Sequence, residues 1–407
     1  MPNMLEYSLY SITMPQKPKK NIRKRPPSLN ANAPSLLNLT IPGYVSGAEK
    51  QPQKIKPPRN VKKIVKRSAL VLLLLLVVSG TVFSAKIIGE LDKVFHGNLL
   101  SDIEALFHPV KLKGESSGRV NILLAGDSSD DPGHAGAQLT DSILLLSINT
   151  RSHTAFLLSI PRDLWVQLPG NTYPGGTHQK INAANEVTSF SQSGYPKGGM
   201  GELSYVVQNE LGIPVDYSGL MDYGAFKDSV DAVGGVTINV QSPDPRGIYD
   251  SNTGIDLPNG PVSLNGQQAL NLARSRGDGY RSYGVTSDFS RTAYQRQIFI
   301  AVAAKAKSAG TLSNPVKISN LFSALGNNFQ TNLTLADVLR LIKITKPINL
   351  SNVQSYAFSS SVSTITPNPI LKSYYVPYNG QSALIPTSGI DNYAQMQAYY
   401  QQLTQTH

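Results

Sequence analysis

The chain of 407 residues has no cysteine at all. That absence excludes a disulfide framework, a thiolate zinc site and a cysteine nucleophile. It also suits a domain working outside the cell, where a stray thiol would oxidise. Charged residues are scarce as well, 15% of the chain against the usual ~25%. No internal repeat is present. Hydrophobic residues make up 40%, and the length suffices for one large core or two small ones.

The net charge of +11 is unevenly distributed. Residues 1–67 hold fourteen Lys and Arg against two acidic side chains, which leaves 23 basic against 24 acidic residues for everything after them. The main body is therefore close to neutral and offers little to nucleic acid. A basic block of this kind reads as a disordered tail that touches anionic surfaces, and a nucleic-acid role stays open for the tail alone. Residues 1–60, rich in Pro, Lys, Asn and Ser, show no regular apolar period and read as disordered.

An uncharged run from Ser68 to Ala85 follows, continued by Ile87 and Ile88. About 20 helical residues at ~1.5 Å each cross a ~30 Å hydrocarbon core, so residues 68–89 are expected to be a transmembrane helix. The basic cluster from Lys54 to Arg67 places the N-terminus in the cytoplasm and the remainder outside. A cleaved signal peptide would need a basic region 67 residues long, far from the usual design. Residues 90–117 read as a membrane-proximal helix and linker.

Short apolar runs bounded by polar turns then announce sheet core: Val120–Ala125, Ser142–Ile148 and Thr154–Ile160. Helices are expected over Glu202–Leu211, Tyr223–Val233, Gly266–Arg276 and Ser290–Ala309, with Gly234-Gly235 ending the second before a strand at Val236–Val240. Further on, Asn332–Ile344 and Asn392–Leu403 read as helical and Val353–Phe358 as strand-like. The alternation predicts an α/β domain, a central mixed β-sheet flanked by helices. The domain spans 118–310, with 311–407 as its C-terminal part ending in a short flexible stretch.

Four clusters carry chemistry. Gly126-Asp127-Ser128 ends the first strand and Thr140-Asp141-Ser142 opens the second, so both carboxylates are expected at one edge of the sheet. Such a pair suits Mg²⁺ or Mn²⁺, completed by waters and substrate phosphate. Spacing alone favours the plainer view that both are turn and cap residues. Ser159-Ile160-Pro161-Arg162-Asp163 places an arginine where a buried strand ends, well sited to grip phosphate, or to form a surface ion pair. Last, Arg274 and Arg276 precede a loop, and Asp288 and Arg291 open the helix beyond it, followed by Gln295. Guanidiniums at a helix N-terminus make a pyrophosphate site; an exposed charged loop is the alternative.

Together the strings LLAGDS, TDSILLLSI, LLSIPRDLWVQLPG, KINAAN, LMDYGAFKDSVDAVGGVTINV, LNGQQALNLARSR and SDFSRTAYQRQ resemble the LytR-CpsA-Psr family in content, order and spacing. The resemblance covers about Arg119 to Lys307, with a weaker tail beyond. It implies a type II membrane protein that moves a glycosyl phosphate from a polyprenyl pyrophosphate-linked glycan to a peptidoglycan hydroxyl, assisted by Mg²⁺. By the same resemblance Asp127 and Asp141 are the metal aspartates and Arg162 lies at the pyrophosphate. Arg274, Arg276, Arg291 and Gln295 hold phosphate, and Asp288 belongs to the site. Asp163 and Asp288 are both candidates for the base that takes the acceptor proton. A lipid tunnel is implied between sheet and helices, where Phe226, Val230, Val233, Leu270 and Phe299 line it or serve as ordinary core. Two departures stand out. Leu139 and Tyr294 occupy positions where the family usually has arginine, so two positive charges are missing or are supplied by Arg281 or Lys180. A lipid-glycan-binding regulator without turnover and a polyprenyl pyrophosphate hydrolase are the alternative functions.

The charge asymmetry around residues 68–89 gives the first test. Protease added to intact spheroplasts should remove the domain after residue 90 and spare residues 1–67; digestion of the tail with a protected domain contradicts this topology.

Overall fold

Uninterrupted Val, Ile and Leu in a strand mean burial on both faces, and the three runs after Arg119 behave accordingly. The computed structural model describes residues 110–131, 133, 136–169, 178–276, 288–308, 325–358 and 369–407. The basic tail, the apolar run 68–89, Arg281 and the side chain of Asp288 lie outside them. Among the described residues no helix is long and apolar enough to cross a membrane.

Strands β1 (Arg119–Gly126), β2 (Ser142–Asn149) and β3 (Thr154–Ser159) form an antiparallel meander. A small hairpin, β4 (Trp165–Gln167) with β5 (His178–Lys180), and helix α1 (Gly199–Tyr205) lead to β6 (Tyr217–Met221), which pairs parallel to β1. Helix α2 (Tyr223–Ala232) follows, then the pairs β7 (Val236–Val240) with β10 (Gly260–Leu264) and β8 (Ile248–Asp250) with β9 (Ile255–Leu257). Helices α3 (Gly266–Arg274) and α4 (Asp288–Ser308) come next. The chain continues through β11 (Phe329–Thr331), α5 (Leu335–Thr345), β12 (Gln354–Ala357), the hairpin β13 (Leu371–Tyr375) with β14 (Ser382–Pro386), and α6 (Ala394–Thr406). The central sheet has the order β11-β6-β1-β2-β3-β12. With β12 parallel to β3 and β11 antiparallel to β6, it is mixed.

Alternate residues of β1 serve two cores. Leu123 and Ala125 join Leu145, Phe156 and Leu158 beneath Leu203, Val206, Met396, Tyr399 and Leu403. Val120 and Ile122 face the other way, with Ile148, Ala155 and Tyr217, toward Leu333, Ile344 and Ile348. Residues 110–117 pack on this second side: Leu112 is buried there, Lys113 N donates to the Tyr217 hydroxyl at 3.0 Å, and Glu115 pairs with Arg340. A third cluster joins Val230, Val233, Val236, Ile238, Leu272, Tyr294 and Ile298 from α2, β7, α3 and α4.

The starts of α2, α3 and α5 are fixed by side-chain caps. Asp222 accepts from Ala225 N at 2.8 Å, and Asn265 and Thr334 form capping boxes with Gln268 and Asp337. The helix expected at Glu202–Leu211 instead begins at Gly199, and its last turn, Val206–Glu210, widens into a π turn closed by Leu211 N on Val206 O. Glycine is required here because a Cβ on Gly201 would lie 1.8 Å from the Pro196 carbonyl oxygen. The helix expected to reach Arg276 ends at Arg274, where Ser275 turns extended.

Phe156 lies on β3, fully buried between sheet and helices, in ring contact with Tyr356 and Tyr400 and beneath the Arg119 guanidinium. Phe156→Ala should cost about 3–5 kcal/mol of unfolding free energy, measured as a fall in urea midpoint at unchanged slope. A loss well under 1 kcal/mol would mean that the sheet does not rely on this core.

Candidate active site

The register pairs Gly126 with Ser142, so Asp127 and Asp141 leave the same end of one hairpin. The adjoining carboxyl ends of β3 and β6 bring Arg162 and Asp222 to this edge. Ligand sites gather at such strand ends because the loops there converge.

Backbone bonds from the KINAAN segment hold the loops in place. Thr140 N donates to Asn182 O at 3.1 Å and Asn182 N to Arg162 O at 3.2 Å. Asn185 Nδ2 donates to Gln138 O at 2.9 Å and to Asp127 Oδ2 at 3.3 Å. Asp127 is only 3% exposed. Its other oxygen accepts from Ser129 Oγ at 2.9 Å and Ser129 N at 3.3 Å. Burial pushes its carboxyl above the usual range, and the neighbouring Asp130 adds to this. Asp222 is raised in the same way, chiefly by burial and then by Asp130 and Asp127.

Asp141 answers to a different partner, an ion pair with Arg162, and its carbonyl accepts from Arg291 Nη2 at 3.0 Å. Both oxygens of Asp163 face cations, Lys180 Nζ at 2.7 Å and Arg162 Nε at 3.7 Å. Lys180 is thereby committed to Asp163. Gln295 acts as a strut: its Oε1 accepts from Ser142 Oγ and its Nε2 donates to Ala273 O, both at 2.9 Å. Arg274 ends α3, and Arg276 follows it in extended chain with its N on Asp250 Oδ2 at 2.8 Å; both side chains are exposed. Asp288 opens α4.

Two features, Tyr223 and Asp130, escaped the sequence reading, and Arg296 lies turned away on α4 as its spacing from Tyr294 implies. Tyr223 lies between the two halves of the site. The Arg274 guanidinium stacks 4.7 Å above its ring, Ser128 hydrogen-bonds its phenol, and the charges of Asp141 and Arg291 act on it. Burial raises the phenol pKa, which keeps it a donor. Its place directly after the N-cap Asp222, at the end of a strand parallel to β1, was the available signal. Asp130 accepts from Tyr223 N and Gly224 N at 3.2 and 2.9 Å. Arg296 is buried, donating to Ser159 Oγ and Ser355 Oγ; burial lowers its pKa to about 10. Leu139 packs against the main core and Tyr294 lies in the third cluster, so neither position brings charge to the site. Of the residues assigned to a tunnel, Phe226, Val230 and Val233 are brought together in that third cluster. Leu270 is buried and Phe299 half-buried, neither as a member of it.

Asp127 fits a hard divalent cation, being a buried carboxylate whose hydrogen-bond partners among the described residues are all uncharged. Among the described residues no group of three or more His, Cys, Asp and Glu is arranged to hold a metal. A cation here would therefore lean on few protein ligands and on substrate oxygens, the habit of Mg²⁺.

The LytR_cpsA_psr family model matches residues 95–383. The chain belongs to the LytR_cpsA_psr family. It is 32% identical over 237 residues, 58% of this chain and 55% of the relative, to the polyisoprenyl-teichoic acid–peptidoglycan teichoic acid transferase TagV of Bacillus subtilis. It is 30% identical over 280 residues, 67% of this chain and 78% of the relative, to the transferase TagU of Oceanobacillus iheyensis, which bears the same description. The crystal structure of B. subtilis TagV aligns with a TM-score of 0.51 at 27% identity, covering 70% of this chain and 96% of that one. Against curated TagV the chain thus spans little more than half the relative's length. The α/β domain with a central mixed sheet is the family's fold.

The raised Asp127 pKa has a measurable sign. The folded state holds this proton more tightly than the unfolded chain, so its stabilising share is present below the ordinary aspartate value of about 4 and is lost as pH rises through the raised value. In chelator-treated protein the wild type should lose stability over that window by an increment absent from Asp127→Asn. Thermal unfolding across the pH range checks this; parallel profiles for both proteins would show that the buried charge carries no strain.

Proposed function

We propose that this protein is a membrane-anchored phosphotransferase that moves a glycosyl phosphate from a polyprenyl pyrophosphate-linked glycopolymer to a peptidoglycan hydroxyl. The observation that carries this reading is the convergence, at one end of the family's sheet, of a buried and uncompensated carboxylate with Arg162, Arg291 and the Tyr223-stacked Arg274. Relatives described as teichoic acid transferases support the substrate class. The apolar run 68–89 supports a single-pass anchor, N-terminus inside and domain outside.

In the reaction the acceptor hydroxyl oxygen bonds to the phosphorus that bears the sugar. The bond from that phosphorus to the bridging oxygen breaks, and polyprenyl monophosphate leaves with the electron pair. A divalent cation held by Asp127 and Asp141 would act as a Lewis acid for the pyrophosphate oxygens. Arg162, Arg274 and Arg291 meet the charge that grows on the leaving phosphate, and because they are held by ion pairs, stacking and backbone bonds, little reorganisation is needed. The Tyr223 phenol donates to a phosphate oxygen. The acceptor proton passes to a carboxylate. Asp288 suits this role better than Asp163, whose oxygens both face cations.

The test is a transfer assay with full-length protein in detergent, a synthetic lipid pyrophosphate-sugar and peptidoglycan oligomers, titrated with Mg²⁺. Asp127→Asn and Asp141→Asn should each abolish metal-dependent transfer, with the double variant little worse than either, since the pair acts as one unit. Arg162→Ala should lose about 3 kcal/mol of transition-state stabilisation, on the order of a hundredfold in rate, while remaining folded. Near-normal transfer by both aspartate variants at saturating Mg²⁺ sinks the metal assignment. Release of sugar phosphate without acceptor indicates a hydrolase, and donor binding without any product a regulator.

A further inference from the structure

Asp250 is a buried carboxylate that the phosphate chemistry does not use. It ends β8, opens the turn into β9 and is only 1% exposed. Its Oδ1 accepts from Asn252 N at 2.9 Å, an ordinary turn contact within the hairpin. Its Oδ2 reaches out of the hairpin and accepts from Arg276 N at 2.8 Å, 26 residues further along the chain.

Three kinds of contact bolt this hairpin to the end of α3. Ile248, Ile255 and Leu257 share a core cluster with Leu272 and Ala273. The Thr253 and Ser275 hydroxyls lie 2.7 Å apart, and Ser275 Oγ donates to Asn271 O at 2.7 Å. Asp250 then fixes the peptide that joins Ser275 to Arg276. One residue before Arg274, Gln295 Nε2 holds Ala273 O at 2.9 Å. Arg274 therefore stands between two pinned and buried neighbours, Ala273 and Ser275, while its own side chain is exposed and stacks on Tyr223.

Local stability does not account for a carboxylate at this place. A turn of this kind needs one acceptor, which asparagine supplies without burying a charge. The position is also beside the C-terminal end of α3, where the helix dipole disfavours an anion. Only the second oxygen gives aspartate a use that asparagine lacks, since an amide cannot accept from both N–H groups at once.

We propose that Asp250 is a positioning residue for phosphate binding: through the peptide before Arg276 it locks the end of α3, and with it the direction in which Arg274 presents its guanidinium. An arginine carries a long stem and loses rotamer freedom when it grips an anion. A backbone held on both sides and a ring beneath the guanidinium remove much of that freedom before the anion arrives, which leaves more of the contact for binding. Asp250 itself touches no phosphate and acts through Arg274.

The proposal rests on the transferase reading for the identity of the anion, but its test needs no turnover. Full-length protein in detergent is titrated with inorganic pyrophosphate in Mg²⁺ buffer and followed by calorimetry. Asp250→Ala should weaken binding about tenfold, the scale of one hydrogen bond to a charged group. The deciding comparison is a double-variant cycle with Arg274→Ala. That variant should lose at least as much affinity, and adding Asp250→Ala to it should cost nothing further. A purely structural Asp250 subtracts the same affinity in both backgrounds, and this additive result overturns the proposal. Full affinity in a folded Asp250→Ala also overturns it. The thermal midpoint verifies folding. Should Asp250→Ala unfold, the isosteric Asp250→Asn carries the same cycle, with a smaller loss that again vanishes beside Arg274→Ala. Unchanged binding by Arg274→Ala refutes the proposal and leaves the transferase reading to Arg162 and Arg291. No saturable binding by the parent sinks both.

Discussion

The register of β1 against β2 is the constraint from which the site follows. Side chains alternate with a period of two, so a slip of one residue would turn Leu123 and Ala125 out of one core and Val120 and Ile122 out of the other. With apolar groups on both faces, no neighbouring register is tolerable, and the pairing of Gly126 with Ser142 is fixed. Asp127 and Asp141 then emerge at one end of one hairpin without any interaction of their own to bring them there. Two carboxylates would not approach in water for their mutual benefit; the hydrophobic pattern of the strands imposes the arrangement.

Around that imposed cluster the chain distributes compensation unequally. Asp141 and Asp163 have cations, Arg162 and Lys180. Among the described residues Asp127 has a hydroxyl, an amide and a backbone N–H, and no cation. The loops that carry these groups are tied together by the backbone of Asn182 and the side chain of Asn185, so they form one plate. Gln295 fixes α4 to both β2 and α3, which sets where Arg291 points.

Strands and helices were legible wherever apolar runs or periodicity met polar turns, since burial decides both. Leu139 and Tyr294 were legible as departures because a motif names the residue type it lacks. The widened turn after Tyr205 was not, because Gly199 and Gly201 read as loop and their tight approach to the Asn185 and Pro196 backbones exists only in three dimensions. Tyr223 is harder to read for a similar reason: its partners Ser128, Arg274 and Arg291 are distant in sequence, and its place directly after the N-cap Asp222 is the one local signal. Lys180, one of the two residues left open as a substitute charge, pairs with Asp163, a partner 17 residues away that no local pattern names.

Arg296 has a consequence beyond its hydrogen bonds. Its two serine partners stabilise a guanidinium without cancelling its charge, and it stays ionised at neutral pH even with its pKa lowered to about 10. In a medium of low dielectric an uncancelled charge projects its field farther than one in water. Ser159, which it contacts, ends the strand that leads to Arg162. The site is therefore backed by a fixed positive potential that no surface mutation or moderate salt removes, a background that favours anions over neutral lipids before any ligand touches an arginine.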